Sequence, residues 1–300
     1  MNPSAAPDGS PPQARGVDLE RQVTSLSHAV DELGRLARDT QDRLQSVEAE
    51  LRSLQARGGD GHDVDGWGPR FAAIYADFTK HFRGSTAEVS AKLEGYLPDV
   101  QRLAGPGGVV DLGCGRGEWL ALLRAAGVAA RGVDTNPAFV AAGRARGLDM
   151  ELGDALGYLE ALPPDSIDMV TAFHVIEHLA TEDLLALLEA ARGALRPGGC
   201  LLLETPNPTN LVMAACDFYN DPTHRSPLPP ALTEYLVSTQ GFGNVEVRPL
   251  HPKTAPQMPT CGADACARVQ ELVAQTLFGP QDYAVLGYKL PVEELSLIHI

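Results

Sequence analysis

The chain has 300 residues, 44% of them hydrophobic, and carries 39 Asp and Glu against 24 Lys and Arg for a formal net charge of −15. That is enough for one enzyme domain with an accessory segment and short of two full catalytic domains. The acidic charge, with no local Lys/Arg run to oppose it, repels phosphate backbones and anionic membrane surfaces, so nucleic acid is not an expected partner.

No transmembrane segment is expected, because no stretch approaches the roughly 20 continuous apolar residues that span a bilayer. The cysteines Cys114, Cys200, Cys216, Cys261 and Cys266 form no Cys-x-x-Cys pair, and the N-terminus has no apolar stretch of the signal-peptide kind. A reducing, cytoplasmic location fits both features.

Residues 1–18 are rich in Pro, Ala, Gly and Ser and predict a disordered lead. From Leu19 apolar residues recur in steps of four and three, through Val23, Leu26, Val30, Leu33, Ala37, Thr40, Leu44, Val47, Leu51 and Leu54. This heptad seam predicts a coiled-coil helix over 19–57. Val23 and Val30 at a positions, with Leu at d, favour two parallel strands and hence a homodimer, with Arg43 and Glu48 placed to pair between chains. Ala37 and Thr40 weaken its centre, so a helix folded back on its own domain is the alternative. The stretch GGDGHDVDG marks a flexible linker over 58–68, and the catalytic domain is expected over 69–300.

Two helical patterns open that domain, Phe71 to Phe82 and Thr86 to Leu97. Strand and helix signals then alternate as in a parallel α/β sheet. The strands are VVDLG, ARGVD, MELGD, IDMVTAF and CLLLET, followed by VEVRPL and YAVLGYK, the last two suited to pair antiparallel at an edge. Amphipathic helices include Glu118 to Ala126 and Thr181 to Leu195, and a further helix is expected over Ala231 to Thr239. Residues 253–280 show no interpretable pattern.

The segment VVDLGCGRGEW, 109–119, is an apolar strand ending in a glycine-rich turn that opens a helix. Gly113, Gly115 and Gly117 allow a ligand close to the backbone, and the helix N-terminus offers unsatisfied N–H groups. Such a loop alone leaves a nucleotide dehydrogenase, a methyltransferase and a plain turn open. Asp111, two residues before the first glycine, suits the ammonium of a methionine tail, and the G-x-G-x-G spacing departs from the dinucleotide G-x-G-x-x-G. Asp134 ends the second strand, where a carboxylate can accept both ribose hydroxyls, while Thr135 or Asn136 can cap the following helix. Asp154 with Ala155 ends the third, where an acidic side chain meets an adenine amine beside a small wall; a helix cap is the alternative. Three acidic strand ends at one sheet edge converge on the crevice where open α/β sheets bind ligands.

These residues resemble class I S-adenosylmethionine-dependent methyltransferases over roughly Phe71 to Lys289. The resemblance implies a Rossmann-like seven-stranded sheet of order 3-2-1-4-5-7-6 with the last strand antiparallel, and S-adenosylmethionine as cofactor, with Cys114, Thr135 and Phe173 joining the residues above in its site. More narrowly, FHVIEHL (173–179), LRPGG (195–199), ETPNP (204–208) and FYNDPTHRSPLPP (218–230), with HFRGS (81–85) and QDYAVLG (281–287), resemble the methyltransferase domain of O-antigen chain-terminating enzymes. Those relatives methylate bacterial surface polysaccharides or their sugar phosphates, which implies a saccharide or glycolipid acceptor here. They also carry a kinase domain after the methyltransferase and a coiled coil behind both, whereas here the coiled coil is expected in front and no kinase domain is expected.

A sugar hydroxyl needs a general base, and histidine is the usual choice; a phosphate acceptor needs none. His174, directly after the fourth strand, is the first candidate, and His224 in the DPTHR loop the second. Tyr219 and Arg225 are placed to bind the acceptor, and Arg83 to close over the methionine carboxylate. His174, Glu177 and His178 also have the i, i+3, i+4 spacing of a metal set. The motif straddles a strand end, however, and Glu177 with His178 more simply opens the next helix, so no metal is expected. The competing functions are methylation of a quinone precursor or secondary metabolite, and a coiled-coil scaffold that binds the cofactor without turnover.

Overall fold

The computed structural model describes residues 74–75, 78–79, 81–255 and 264–291, all within the unit Val64–Ile300. The lead, coiled coil and linker expected over 1–68 lie outside the described residues, as does most of the helix expected from Phe71.

Seven strands form one sheet: β1 Val109–Leu112, β2 Ala130–Asp134, β3 Met150–Leu152, β4 Ile167–Phe173, β5 Leu195–Pro206, β6 Phe242–Pro252 and β7 Pro280–Lys289. Their order is β3-β2-β1-β4-β5-β7-β6, as the family resemblance implies. β1 to β5 run parallel, and β7 lies antiparallel between β5 and β6. The strand period of two sends successive side chains to opposite faces. Leu201 and Leu203 of β5, with Tyr283 and Val285 of β7, enter one core, and Cys200 and Leu202, with Ala284 and Leu286, enter the other. Both faces are covered, so the central strands read as continuous apolar runs.

On the Cys200 side pack α1 Thr86–Leu93, α2 Leu97–Leu103 and α3 Glu118–Ala125 through Leu93, Val100, Trp119 and Leu123. α4 Pro137–Ala145 flanks β3, and α5 Ala155–Glu160 and α6 Thr181–Ala194 cover the opposite face with Leu159, Leu184, Leu187 and Leu188. The helix expected over Thr86 to Leu97 stops at Leu93. A 3-10 turn, Glu94–Tyr96, follows, and α2 starts with Pro98 in its first turn, where a missing N–H is harmless. β5 begins five residues earlier than its pattern predicts, because Leu195 pairs with Ile167 across a register shift before Cys200 meets Met169.

After β5 come α7 Leu211–Ala215, a 3-10 turn Asp217–Asn220 and α8 Pro230–Thr239. α9, Asp264–Phe278, occupies the stretch in which no pattern was legible, and it corrects that reading. Val269 and Leu272 stay about 60% exposed in it, so the segment lacks the buried stripe that makes a helix readable. No described helix is long and apolar enough to cross a membrane.

Candidate active site

After β1 the chain turns through the glycine loop with φ of 61° at Gly113 and 52° at Gly115. A Cβ on Gly113 would stand 2.6 Å from Val175 Cγ2, so only glycine lets the loop pack against the segment after β4. A Cβ on Gly115 would meet only the Gly113 carbonyl at 4.0 Å, which leaves an open cradle above the loop. α3 starts from Gly117 without any side-chain cap, so its first N–H groups remain available.

Around this cradle stand three carboxylates, Asp111, Glu118 and Asp134. Asp111 is 2% exposed and accepts a 2.8 Å hydrogen bond from Thr171 Oγ1. Burial pushes its carboxyl up to about 8, and the negative charges of Asp134 and Glu118 push the same way. Glu118 Oε1 is buried, 2.6 Å from Arg116 Nε but out of line for a hydrogen bond. Asp134 takes the Gly115 and Asn136 N–H groups, one on each oxygen, at 2.7 Å. Burial raises this carboxyl too, against the pull of those two bonds. Because Asn136 caps α4 by accepting from Ala138, Asp134 keeps a lone pair on each oxygen for a diol. Asp154 does take up the capping alternative, accepting from Gly157 N at 2.7 Å while its side chain stays exposed. An ammonium, a sulfonium and a ribose fit this set: they bring positive charge to Asp111 and Glu118 and hydroxyl donors to Asp134.

Beyond the cradle, β4, β5 and β7 end in a cluster of histidines and acids. His174 takes a left-handed φ of 56°, its N–H bonds to Glu204 O at 2.8 Å, and its own carbonyl accepts from Arg83 Nη2 at 3.3 Å. Its Nδ1 lies 3.2 Å from Glu177 Oε1, and its Nε2 lies 3.4 Å from Glu204 Oε1 and 3.9 Å from Asp282 Oδ1. Burial alone would lower its pKa; Glu177, Glu204 and Asp282 outweigh burial and push it up to about 10. Glu177 is fully buried, and although burial opposes it, the three imidazoles around it pull its carboxyl down to about 2. His178 and His224 go the other way, held below the ordinary histidine range by burial. Their rings meet edge to face, 4.7 Å apart. Asp221 and Thr223 of the DPTHR loop tie His178 to Tyr75, which donates to Asp221 at 3.0 Å.

The expected residues thus fall into distinct places. Cys114 turns its thiol into the small core of Leu120, Val140, Leu148 and Met150, so only its backbone can face a ligand. Phe173 lies tilted against Tyr96 and edge to face with Trp119, Ala155 packs beside the α6 core, and Thr135 is exposed. Tyr219 is 43% exposed against Phe218, and Arg225 joins the site through its N–H, which donates to Glu177 O at 2.8 Å. Sequence reasoning missed Glu118, Thr171, Glu204, Asp282 and His251. The signal for Glu204 and Asp282 was an acid at the end of an otherwise apolar strand, where an unpaired charge is unfavourable. Tyr96 donates to Glu204, and His251 Nδ1 lies 2.9 Å from Asp282.

A doubly covered sheet of this order, with a glycine cradle and acids at the ends of β1 and β2, defines a class I S-adenosylmethionine-dependent methyltransferase. A family model described as a methyltransferase domain matches residues 86–247, more than half of the chain, and the chain belongs to that family. A S-adenosylmethionine-dependent methyltransferase from Archaeoglobus fulgidus superposes with a TM-score of 0.65 at 32% identity, over 72% of this chain and 99% of that one. The ubiquinone biosynthesis O-methyltransferase of Xanthomonas campestris pv. campestris is 33% identical over 119 residues, 38% of this chain and 49% of that protein. Trans-aconitate 2-methyltransferase of Methylobacterium nodulans is 34% identical over 158 residues, 51% of this chain and 52% of that protein. The chain spans about half the length of the curated relatives it matches.

Proposed function

We propose that the chain is an O-methyltransferase whose acceptor is a saccharide, methylated on a sugar hydroxyl or sugar phosphate of a glycan. The observation that carries this reading is the cluster of half-buried histidines and buried carboxylates at the ends of β4, β5 and β7, next to the donor cradle. When bound, S-adenosylmethionine supplies a methyl group on a sulfonium, a good leaving group. Asp111, Glu118 and Asp134 hold that donor, and Arg83, bonded to the carbonyl of His174, lies between the cradle and the acid cluster. Placement in line with the methyl is worth on the order of 7–11 kcal/mol of barrier.

Three carboxylates hold His174 protonated, so it acts as a fixed positive charge that orients an acceptor oxygen rather than as the base. Drawing off the hydroxyl proton falls to the Glu177, His178 and His224 group, whose imidazoles are neutral near pH 7. A wall of Asp221, Thr223, His224 and exposed Arg225 suits a polyhydroxyl acceptor better than a flat aromatic ring. The loop bearing it is also the longest stretch resembling O-antigen chain-terminating enzymes. The identity to a ubiquinone O-methyltransferase supports a second reading, a phenolic acceptor.

Labelled-methyl transfer from S-adenosylmethionine to extracted surface polysaccharide and to a catechol panel separates the two. Label in the polysaccharide alone is the expected result. Transfer to catechols alone, or to neither acceptor while the cofactor binds, overturns it.

A further inference from the structure

Two groups of side chains with metal-ligating chemistry lie among the described residues: Glu177, His178 and His224, and His174, Glu204 and Asp282. The second is already matched in charge. His174 stands between the two acids, Glu204 Oε2 takes the Tyr96 hydroxyl, and Asp282 Oδ2 faces His251 Nδ1.

In the first, two imidazole lone pairs face the carboxylate of Glu177, whose Oε1 also has the His174 ring 3.2 Å away. His224 Nδ1 lies 2.6 Å from the Phe218 carbonyl, which can only accept, so the proton sits on Nδ1 and the lone pair on Nε2, 3.8 Å from Glu177 Oε1. Thr223 Oγ1 donates its one proton to Asp221 Oδ1 and therefore accepts from His178 Nδ1 at 2.9 Å, which leaves the His178 lone pair on Nε2. Glu177 Oε2 is filled by Thr205 at 2.9 Å, whereas the fully buried Oε1 accepts no hydrogen bond. Each of the three residues offers a ligand atom within 4.8 Å of the other two. Oε1 shares the His174 imidazolium, 3.2 Å away, with Glu204 and Asp282, so this buried carboxylate beside two imidazole lone pairs is still short of positive charge, which a bound cation supplies. The Phe218 carbonyl and Thr223 hydroxyl are the outer partners that fix the tautomer of a metal-binding histidine.

We propose that Glu177, His178 and His224 bind one divalent first-row transition ion, Mn2+ or Zn2+, with coordination positions left open for the acceptor oxygen. Two imidazoles and one carboxylate select such an ion over Mg2+ or Ca2+. The 3.8 Å between His224 Nε2 and Glu177 Oε1 is what two bonds of about 2.1 Å can span. The expectation of no metal rested on the strand end that separates His174 from Glu177; His224, brought in by the DPTHR loop, takes the place His174 does not fill. The inference rests on the methyl-transfer reading and replaces the proton-accepting role of Glu177, His178 and His224 there with coordination of the ion. A hydroxyl on the ion is acidified, its O–H proton leaves to solvent, and the oxygen forms its bond to the methyl as the sulfur–methyl bond breaks. His224 is then a ligand and not a base.

The full chain, freed of metal by a chelator and dialysed, is titrated with Mn2+ under electron paramagnetic resonance and with Zn2+ by calorimetry, and S-adenosylhomocysteine binding is measured on the same samples. One ion per chain is expected, with His224→Asn and His178→Asn each weakening it at least about tenfold. Asp282→Asn should leave it unchanged, and S-adenosylhomocysteine should bind all four proteins alike. Absence of metal binding in wild type that still binds S-adenosylhomocysteine overturns the site, and so does weakening by Asp282→Asn with His224→Asn unaffected. Metal bound at the trio without S-adenosylhomocysteine binding upholds the cation and contradicts the transferase reading beneath it.

Discussion

Asp111→Asn is expected to make the ligand-free protein more stable by about 2–4 kcal/mol at pH 7 while weakening S-adenosylhomocysteine binding roughly 10- to 100-fold. The wild-type carboxyl is raised from 3.8 to about 8 by burial beside Asp134 and Glu118. A group whose folded pKa is raised contributes stability that is whole below pH 3.8 and is lost as pH rises through about 8, so near neutrality folding has to put back on Asp111 a proton that the unfolded chain has lost. Asparagine does not ionise and can still accept from Thr171, so the urea midpoint should rise and lose this part of its pH dependence. The ammonium of the cofactor needs the ionised form. Wild-type affinity should therefore climb toward pH 8, by up to about tenfold per unit, while the variant stays flat. A variant less stable than wild type, with unaltered affinity, contradicts this role for Asp111.

His174→Ala should destabilise the fold by about 3–5 kcal/mol, because it removes the positive charge held between Glu177, Glu204 and Asp282 and leaves buried carboxylates facing each other. The backbone offers an internal control. His174 sits at φ 56°, where a side chain strains the chain by about 1–2 kcal/mol and glycine does not. His174→Gly should then be about 1 kcal/mol more stable than His174→Ala, yet still well below wild type. Urea unfolding at unchanged slope reads both differences. An alanine variant as stable as wild type means that the acids are protonated or solvated and that His174 is no fixed charge.

The sheet was legible because its faces are both covered. Strands such as Val109–Leu112 and Ile167–Phe173 are buried almost throughout and so are mostly apolar, and their ends are where turn residues and acids appear. The donor site was legible for the same reason: a strand, a glycine turn and a helix are contiguous in the chain. The acid cluster was not, since Glu177, Glu204 and Asp282 come from three segments whose proximity is set by pairing of β5 with β4 and β7. His178 looked like the start of a helix because sequence spacing cannot show that a loop 45 residues further on returns Thr223 to its ring. α9 escaped notice because it buries too little to impose a period.

The central claim is that the acids at the ends of β1 and β2 form the seat of a methyl-donating nucleoside. Calorimetric titration of the purified full chain with S-adenosylhomocysteine, in competition with S-adenosylmethionine, tests it most directly. Saturable uptake of one ligand per chain, abolished or greatly weakened by Asp134→Ala, is the predicted result; no heat of binding for either compound with the folded wild-type protein would contradict it.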